Sequence, residues 1–411
     1  MKYVIIGASA AGLATAQGIR SVDKESEITI LTREEYFPYS RPSISYWLKG
    51  VVAEKDMLLR KPSFYKENNI NVVTHCEVTK IDTKKKVVKA GRKEYPYDKL
   101  CLATGSKPFV PPMENVSGKK NALTFLDLKA VKGVKRLANE NTKAVVIGAG
   151  LIGLKCAEAL HHLDANITVV DLADRILPSI LDVRAGEIMQ KHIEDKGTKF
   201  ILGTSVEQFS KNSAKLTNGD TVDFDILVVA VGVRPNTELV SEAGGKVEKG
   251  IITDLHQQTT IENVYAAGDC TVSHDCSSDM DKILALLPNA FMQGEVAGKN
   301  MAGEETLYLN AIPMNAIGFY GLHIITAGSY NGDADITEDV DKEIYKKLVF
   351  RDGLLKGFIL MGDVARAGIY TSMIREQIPL TDVDFELLRE KPQMMMFGKA
   401  RREEKLAGIT H

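Results

Sequence analysis

The chain has 411 residues, more than a single hydrophobic core usually supports, so two or three domains are expected. Its 44% hydrophobic and 26% charged content is that of an ordinary water-soluble globular protein. With 52 basic against 54 acidic side chains the formal net charge is −2, which offers nucleic acid or an anionic membrane no broad electrostatic footprint.

Lys2 and Tyr3 lead directly into the apolar strand Val4-Ile5-Ile6, with no charged segment before a long apolar stretch, so no secretory leader is expected. No run of about 20 apolar residues occurs, so no spanning helix is expected either. The turn after the first strand, Gly7-Ala-Ser9-Ala-Ala11-Gly12, has the spacing of a dinucleotide-binding fingerprint. In such a turn the first glycine permits the tight strand-to-helix reversal, the second admits the pyrophosphate and the third lets helix and strand pack closely. Phosphate then rests on unpaired N–H groups at the helix N-terminus. Ser9 takes the middle position here, a small residue able to donate to phosphate, and Ala16 is a further small residue on the packing face. The second strand, Ile28-Thr-Ile-Leu31, precedes Glu34, an acid placed to accept hydrogen bonds from a ribose diol, with Glu35 as the neighbouring alternative.

Further along, Tyr97 to Pro108 reads as a strand closed by the small-residue turn Ala103-Thr104-Gly105. A second unit then repeats the first more cleanly. Ala144-Val-Val-Ile147 leads into Gly148-Ala-Gly150-Leu151-Ile152-Gly153, Ala157 follows on the helix, and Ile167-Thr-Val-Val170 ends at Asp171. A carboxylate at Asp171 bonds the adenosine ribose hydroxyls and repels a 2′-phosphate, which favours NADH over NADPH; Arg175 is the opposing signal. Ile226 to Asn236 has the strand-then-glycine logic again at Val231-Gly232, and the chain returns through Thr259 to Cys270 with Gly268-Asp269 at its end. The second unit thus reads as inserted into the first.

Leu287-Pro288 opens a helix, proline suiting its first turn. Residues from about 316 to 385 read as strands and a helix, with a hairpin turning at Arg351-Asp-Gly353. In the tail, the apolar run Met394-Met-Met-Phe397 lies beside basic residues. It docks on a membrane or a partner subunit, or packs on the protein's own surface; Pro392 and Gly398 interrupt any amphipathic helix and weigh against the membrane.

Taken in this order, the motifs of residues 1–385 resemble the FAD/NAD-linked reductases of the pyridine nucleotide–disulfide oxidoreductase class. Tyr36-Phe-Pro-Tyr39-Ser-Arg41-Pro42-Ser-Ile-Ser45, Ala311-Ile-Pro-Met-Asn315 and the stretch Gly353 to Gly368 are similar to rubredoxin reductases, ferredoxin reductases of oxygenases and flavin domains of nitrite reductases. The resemblance implies an α/β fold of two Rossmann-like three-layer domains, the second inserted in the first, plus a C-terminal α+β domain. It places an FAD-binding domain at 1–110 and 236–315, an NAD(H)-binding domain at 111–235, an interface domain at 316–385 and a tail at 386–411. It implies FAD contacts at Gly7, Ser9, Ala11, Gly12, Glu34, Arg41, Pro42, Ala103, Thr104, Gly105, Leu287 and Pro288, with Val78 meeting the adenine through its backbone and Asp269 bonding the ribityl chain. The NADH contacts are Gly148, Gly150, Leu151, Ile152, Gly153, Asp171, Val231 and Gly232. The helix from Leu287 would aim its positive end at the flavin and favour its anionic reduced form.

Disulfide reductases and thiol-based oxidases of this class carry a redox cysteine beside the flavin, but Arg41 to Gly50 contains none. Cys76 is the first cysteine, and the resemblance puts it near the adenine end. Thiol–disulfide exchange needs a thiolate in contact with the reacting group, so thiol chemistry is disfavoured. Cys270 and Cys276 read as small buried residues rather than a redox pair. Relatives often pair a lysine at the position of Tyr46 with a glutamate at the position of Lys155 near the flavin N5. Here Lys155 either supplies that positive charge in place of Tyr46, acting in catalysis, or is a solvated residue on a helix face. Neither the histidines nor the cysteines have metal-site spacing.

The expected protein is a cytoplasmic FAD-dependent NADH:acceptor oxidoreductase, passing hydride from NADH to FAD N5 and electrons onward to a carrier such as rubredoxin or ferredoxin. The alternatives are an NADH-oxidising flavin subunit of a larger iron–sulfur complex and a nucleotide-state sensor. Partners expected are an acceptor protein or iron–sulfur subunit and a second copy in a homodimer. Reduction of oxygen to peroxide is a side activity that needs no thiol.

Overall fold

The computed structural model describes residues 1–111 and 120–407. The opening of the expected NAD(H) domain at 112–119 and the tail's last residues, 408–411, lie outside the described residues.

Five short apolar strands build the first sheet, in the spatial order Val264–Ala266, Lys99–Leu102, Lys2–Ile6, Glu27–Leu31, Ile70–Val73. All neighbours run parallel, with Ile5 opposite Ile30 on one side and Cys101 on the other. Numbered along the chain this is the 3-2-1-4-5 order of a doubly wound nucleotide-binding sheet. Parallel strands need crossovers that cover both faces, which is why these segments read as continuous rather than alternating apolar runs. The helix Ala10–Val22 packs on the sheet and against the helix Leu287–Met301 at very short range. A Cβ on Gly298 would lie 2.2 Å from the Thr15 carbonyl oxygen, and one on Gly294 2.3 Å from that of Ala11, so both positions require glycine.

A second parallel sheet repeats the plan, in the order Lys199–Ile201, Asn166–Val170, Lys143–Ile147, Ile226–Val229, Ala122–Thr124. The chain leaves the first sheet through Ser106–Pro108 and returns through Val233–Pro235, and these two segments pair antiparallel as a ribbon. Beside it Thr104 and Asn236 exchange bonds: the Thr104 hydroxyl donates to the Asn236 carbonyl and the Asn236 amide donates to the Thr104 carbonyl, both at 2.8 Å. The insertion read from the sequence is therefore held at its neck by reciprocal hydrogen bonds.

Both nucleotide sheets belong to one compact unit, residues 1–179, 190–273 and 283–309; residues 180–189, 274–282 and those from 310 onward form another. The short segments 180–189 and 274–282, placed by the sequence within the nucleotide domains, group instead with the C-terminal unit. That unit is a five-stranded antiparallel sheet, ordered Met314–Phe319, Leu322–Gly328, Leu354–Met361, Ile344–Arg351, Asp333–Asp339, with the helix Ala367–Arg375 packed on it. The predicted hairpin turns at Asp352 and Gly353, with φ of 55° and 70°, the left-handed pair that tight hairpins favour. The tail's apolar run splits: Met396 and Phe397 enter the core beside Phe358, Tyr370 and Leu388, while Met395 is 65% exposed. Burying such side chains is worth roughly 1.5–3 kcal/mol each, so packing on the protein itself is where this run finds its stabilisation. The tail's last helix, Lys399–Leu406, begins just after Gly398 and is tied down by Lys405 to the Glu376 carboxylate at 2.8 Å.

Candidate functional site: two glycine-hinged cradles

The two fingerprint turns are built alike, down to individual hydrogen bonds. Gly7 N–H donates to the Leu31 carbonyl and Gly148 N–H to the Val170 carbonyl, each at 2.8 Å. Ala103 N–H donates to the Ile6 carbonyl and Ala230 N–H to the Ile147 carbonyl, again at 2.8 Å. Each turn thereby sits where the first strand ends between its two neighbours, with Ala103-Thr104-Gly105 beside one and Val231-Gly232 beside the other. The first glycines are forced by their backbone, φ 114° at Gly7 and 113° at Gly148. The third glycines are forced by space: a Cβ on Gly12 or Gly153 would lie 1.9 Å from the carbonyl oxygen of Gly7 or Gly148.

Gly150 is different. Its φ of −82° suits any residue, and a Cβ built there meets nothing within 4 Å. Nothing in the fold demands glycine at this N-cap of the helix Leu151–His161, so its smallness answers to something outside the chain, as close approach of a pyrophosphate requires. Leu151, Ile152 and Gly153 form the first turn of that helix. Ser9 stands at the matching N-cap of Ala10–Val22, and its hydroxyl caps no N–H of the helix.

Asp171 follows the strand Asn166–Val170, and its carboxylate accepts the N–H of Ala149 at 2.5 Å and of Ala173 at 2.7 Å. The carboxylate is thus held against the second glycine turn, where a ribose beside the pyrophosphate would fall. Arg175, the opposing signal, pairs with Asp174 at 3.2 Å.

In the first cradle, Glu34 and Arg41 are brought together. Arg41 donates to one carboxylate oxygen of Glu34, and the Tyr39 hydroxyl donates to the other at 2.7 Å. Tyr39 also accepts the N–H of Leu128 at 3.0 Å, and Arg41 donates to the Leu126 carbonyl at 3.1 Å. Glu34 would therefore share its carboxylate with any ribose it meets. Pro42 is the N-cap of the short helix Ser43–Leu48. The chain at 73–76 runs hydrogen-bonded beside 32–34, two residues before Val78; among the described residues neither main-chain polar group of Val78 is engaged by backbone.

Asp269 follows Gly268, whose φ is 86° and whose N–H donates to Gln293 Oε1 at 2.5 Å. Gln293 also accepts from Thr271 and donates to Ser273, so it fixes the turn that aims Asp269. Nothing in the sequence gives Gln293 a role, because its partners lie on a distant loop. Among the described residues the Asp269 carboxyl takes no side-chain hydrogen bond, and burial raises its pKa above the usual carboxylate value, with Arg41 opposing. An enclosed acid that, among the described residues, is met only by its own backbone N–H keeps acceptor capacity for hydroxyl groups of a bound ligand. Leu287 and Pro288 open the helix Leu287–Met301 as expected.

Lys155 is no solvated residue. Its side chain is 14% exposed and its ammonium lies 2.7 Å from Glu158. The other Glu158 oxygen takes Lys49 at 2.8 Å, and both partners of that pair are over nine-tenths buried. Tyr46 lies between them, its ring centre 5.5 Å from each ammonium. The base–acid pair that Tyr46 and Lys155 do not form is thus present one helical turn further along both helices. The sequence reading missed Lys49 and Glu158, whose three-residue offset from Tyr46 and Lys155 was the available signal.

All five cysteines are buried free thiols. Burial pushes Cys101 up to about 12 and raises Cys156, Cys270 and Cys276 as well, so these are neutral thiols at physiological pH. No group of three metal-ligating side chains occurs among the described residues, and no described helix is long and apolar enough to cross a membrane.

Residues 1–294 match the model of the pyridine nucleotide-disulphide oxidoreductase family, and residues 313–378 match the rubredoxin NAD+ reductase C-terminal domain. The chain belongs to the pyridine nucleotide-disulphide oxidoreductase family, and with it is an oxidoreductase that uses FAD and NADH. It is 32% identical to a Bacillus subtilis nitrite reductase [NAD(P)H], over 93% of this chain but 48% of that one, so it spans about half the length of that relative. The epsilon subunit of the NADH-dependent phenylglyoxylate dehydrogenase of Aromatoleum evansii is 31% identical, over 92% of this chain and 93% of its own. The fold is that of putidaredoxin reductase in its covalent complex with putidaredoxin, with a TM-score of 0.88 at 23% identity, covering 99% and 98% of the two chains.

Proposed function

We propose that this protein oxidises NADH and delivers the electrons to a protein-borne acceptor, an iron or iron–sulfur carrier of the rubredoxin or ferredoxin kind. The observation that carries the reading is a pair of equivalent dinucleotide cradles in one compact unit, in a chain whose five cysteines are all buried. FAD and NADH supply the hydride chemistry when bound; the chain supplies binding, orientation and shelter from water. Gly148 to Gly153 and the N-terminus of Leu151–His161 hold the NADH pyrophosphate, Val231 and Gly232 line the same cradle, and Asp171 selects the unphosphorylated ribose. Gly7, Ser9, Ala11, Gly12 and the turn Ala103 to Gly105 hold FAD, with Glu34 at the ribose, Val78 at the adenine, Asp269 at the ribityl chain, and Arg41, Pro42, Leu287 and Pro288 toward the ring. The buried cysteines disfavour a route through a thiol.

Anaerobic stopped-flow tests this: the yellow holoprotein should be bleached by NADH and recover its colour on mixing with oxidised rubredoxin or ferredoxin. Colourless protein that cannot be reconstituted with FAD would refute it. A second reading, an electron-entry subunit of a larger iron–sulfur enzyme, is supported by the full-length likeness to a dehydrogenase subunit. Copurification of further subunits from the native source would favour it over the free reductase.

A further inference from the structure

We propose that Glu158 and Lys49 form a latch that fixes the NADH cradle against the FAD cradle at the separation hydride transfer needs. The inference rests on the functional reading above and concerns residues one turn away from those the family pattern singles out.

Lys49 ends the helix Ser43–Leu48, which leaves the Arg41-Pro42 turn of the first cradle. Glu158 lies on the helix Leu151–His161, which springs from the second glycine turn, and the two helices pack together. Lys155, one turn earlier on the same helix, already places a cation 2.7 Å from Glu158 and neutralises it locally. Burying Lys49 as well, with a side chain only 7% exposed, costs a second desolvation and the ordering of a long flexible stem. Buried ion pairs are seldom more stabilising than the apolar packing that could replace them, so stability is a poor reason for Lys49. Geometry is a better one. Each carboxylate oxygen has its own ammonium, one from each cradle, so the bridge is directional and fixes the position of one helix along the other. Tyr46, 40% exposed, sets its ring at 5.5 Å from both cations and covers the pair. Hydride transfer requires the reacting atoms at roughly 3–3.5 Å, and a displacement of about 1 Å costs on the order of a hundredfold in rate. A latch within two helical turns of the glycine loop acts where such a displacement would arise.

The test uses FAD-loaded protein carrying Lys49→Met, which keeps the stem and removes the charge. Because Lys155 still neutralises Glu158, FAD content should be retained. The limiting rate of flavin bleaching by NADH should fall at least ~10-fold, about 1.4 kcal/mol in the barrier, while the NADH dissociation constant changes less than ~3-fold, since the phosphate and ribose contacts are untouched. The long-wavelength absorbance of nicotinamide stacked on flavin should weaken, and Lys49→Arg should restore both. Should Lys49→Met fail to hold FAD, Glu158→Gln serves with the same expectations. A wild-type limiting rate and stacking absorbance in a fully loaded variant overturns the proposal. Hydrogen exchange of 43–49 and 151–161 separates this failure from that of the functional reading: the latch predicts at least ~10-fold faster exchange in both segments of the variant. If NADH does not bleach the wild-type protein the functional reading fails, and unchanged exchange then overturns the latch on its own.

Discussion

Substituting alanine at the second or the third glycine of the NADH cradle should have opposite consequences. At Gly150 the backbone is already in a region open to alanine and the new methyl meets nothing within 4 Å. Restricting the unfolded chain gains roughly 0.4–1 kcal/mol, and losing a preferred N-cap residue costs a similar amount, so the melting temperature should stay within ~2 °C of wild type. In the proposed binding mode the methyl stands where the pyrophosphate would approach, and displacing a phosphate from its N–H donors by even part of an ångström should weaken NADH binding about 10- to 100-fold, ~1.4–2.7 kcal/mol. At Gly153 the methyl would lie 1.9 Å from the Gly148 carbonyl oxygen, so helix and strand must part by about 1 Å. Overpacking against backbone costs roughly 3 kcal/mol or more, and melting should come about 3 °C or more lower, at roughly 1 °C per kcal/mol for a chain of this length. Differential scanning fluorimetry gives the melting temperatures, and quenching of Trp47, the sole tryptophan, gives NADH affinity. Wild-type NADH affinity in Gly150→Ala, or wild-type melting in Gly153→Ala, would refute the assignment of one glycine to the ligand and the other to the fold.

Three further outcomes follow from the same geometry. Asp171→Asn can accept only one of the two N–H groups that Asp171 now holds and no longer repels a 2′-phosphate, so the ratio of kcat/KM for NADH over NADPH should fall at least ~10-fold in steady-state assays. For Asp269, burial raises the native pKa above the unfolded value, so the folded apoprotein binds this proton more tightly than the unfolded chain, and the group favours folding at low pH and opposes it as pH rises through the raised pKa. Apo Asp269→Asn should therefore melt above wild type at pH 7, the gap closing toward pH 4, while its FAD affinity in a fluorescence titration drops at least ~10-fold. Finally, iodoacetamide treatment of the native holoprotein should leave turnover within twofold, because all five thiols are buried; stoichiometric loss of activity with one alkylation would reinstate thiol chemistry.

The parts of the site legible in the sequence are those set by local backbone chemistry. Gly7 and Gly148 announce a strand-to-helix reversal because no other residue tolerates their φ, and Asp171 lies a fixed distance downstream because strand and helix lengths are constrained. The parts that were not legible depend on what a residue meets across space. Gly18, Gly294 and Gly298 are scattered glycines until the helices Ala10–Val22 and Leu287–Met301 are seen to touch, and Gln293 is one polar residue on a helix until Gly268, Thr271 and Ser273 surround it. The tail run Met394 to Phe397 has the composition of a docking motif and of a core segment alike; Tyr370 and Leu388 decide between them.

The charged residues between the cradles carry that point furthest. Read by position, Tyr46 and Lys155 look like a pair lost from the family pattern, with a lysine left to compensate. Read in space, each helix offers a second residue on nearly the same face one turn later, because positions three apart on a helix are neighbours. A cation and an acid can each move by one turn and still meet, provided both move in the same sense. Lys49 and Glu158 do so, at 2.8 Å. If the bridge latches the cradles as proposed, what the interface needs is an opposite-charge pair between the two helices rather than particular residues at 46 and 155. It follows that restoring the family residues by Tyr46→Lys and Lys155→Glu would crowd a second bridge beside the first, where like charges three residues apart repel. It should impair hydride transfer unless Lys49 and Glu158 are neutralised in the same protein.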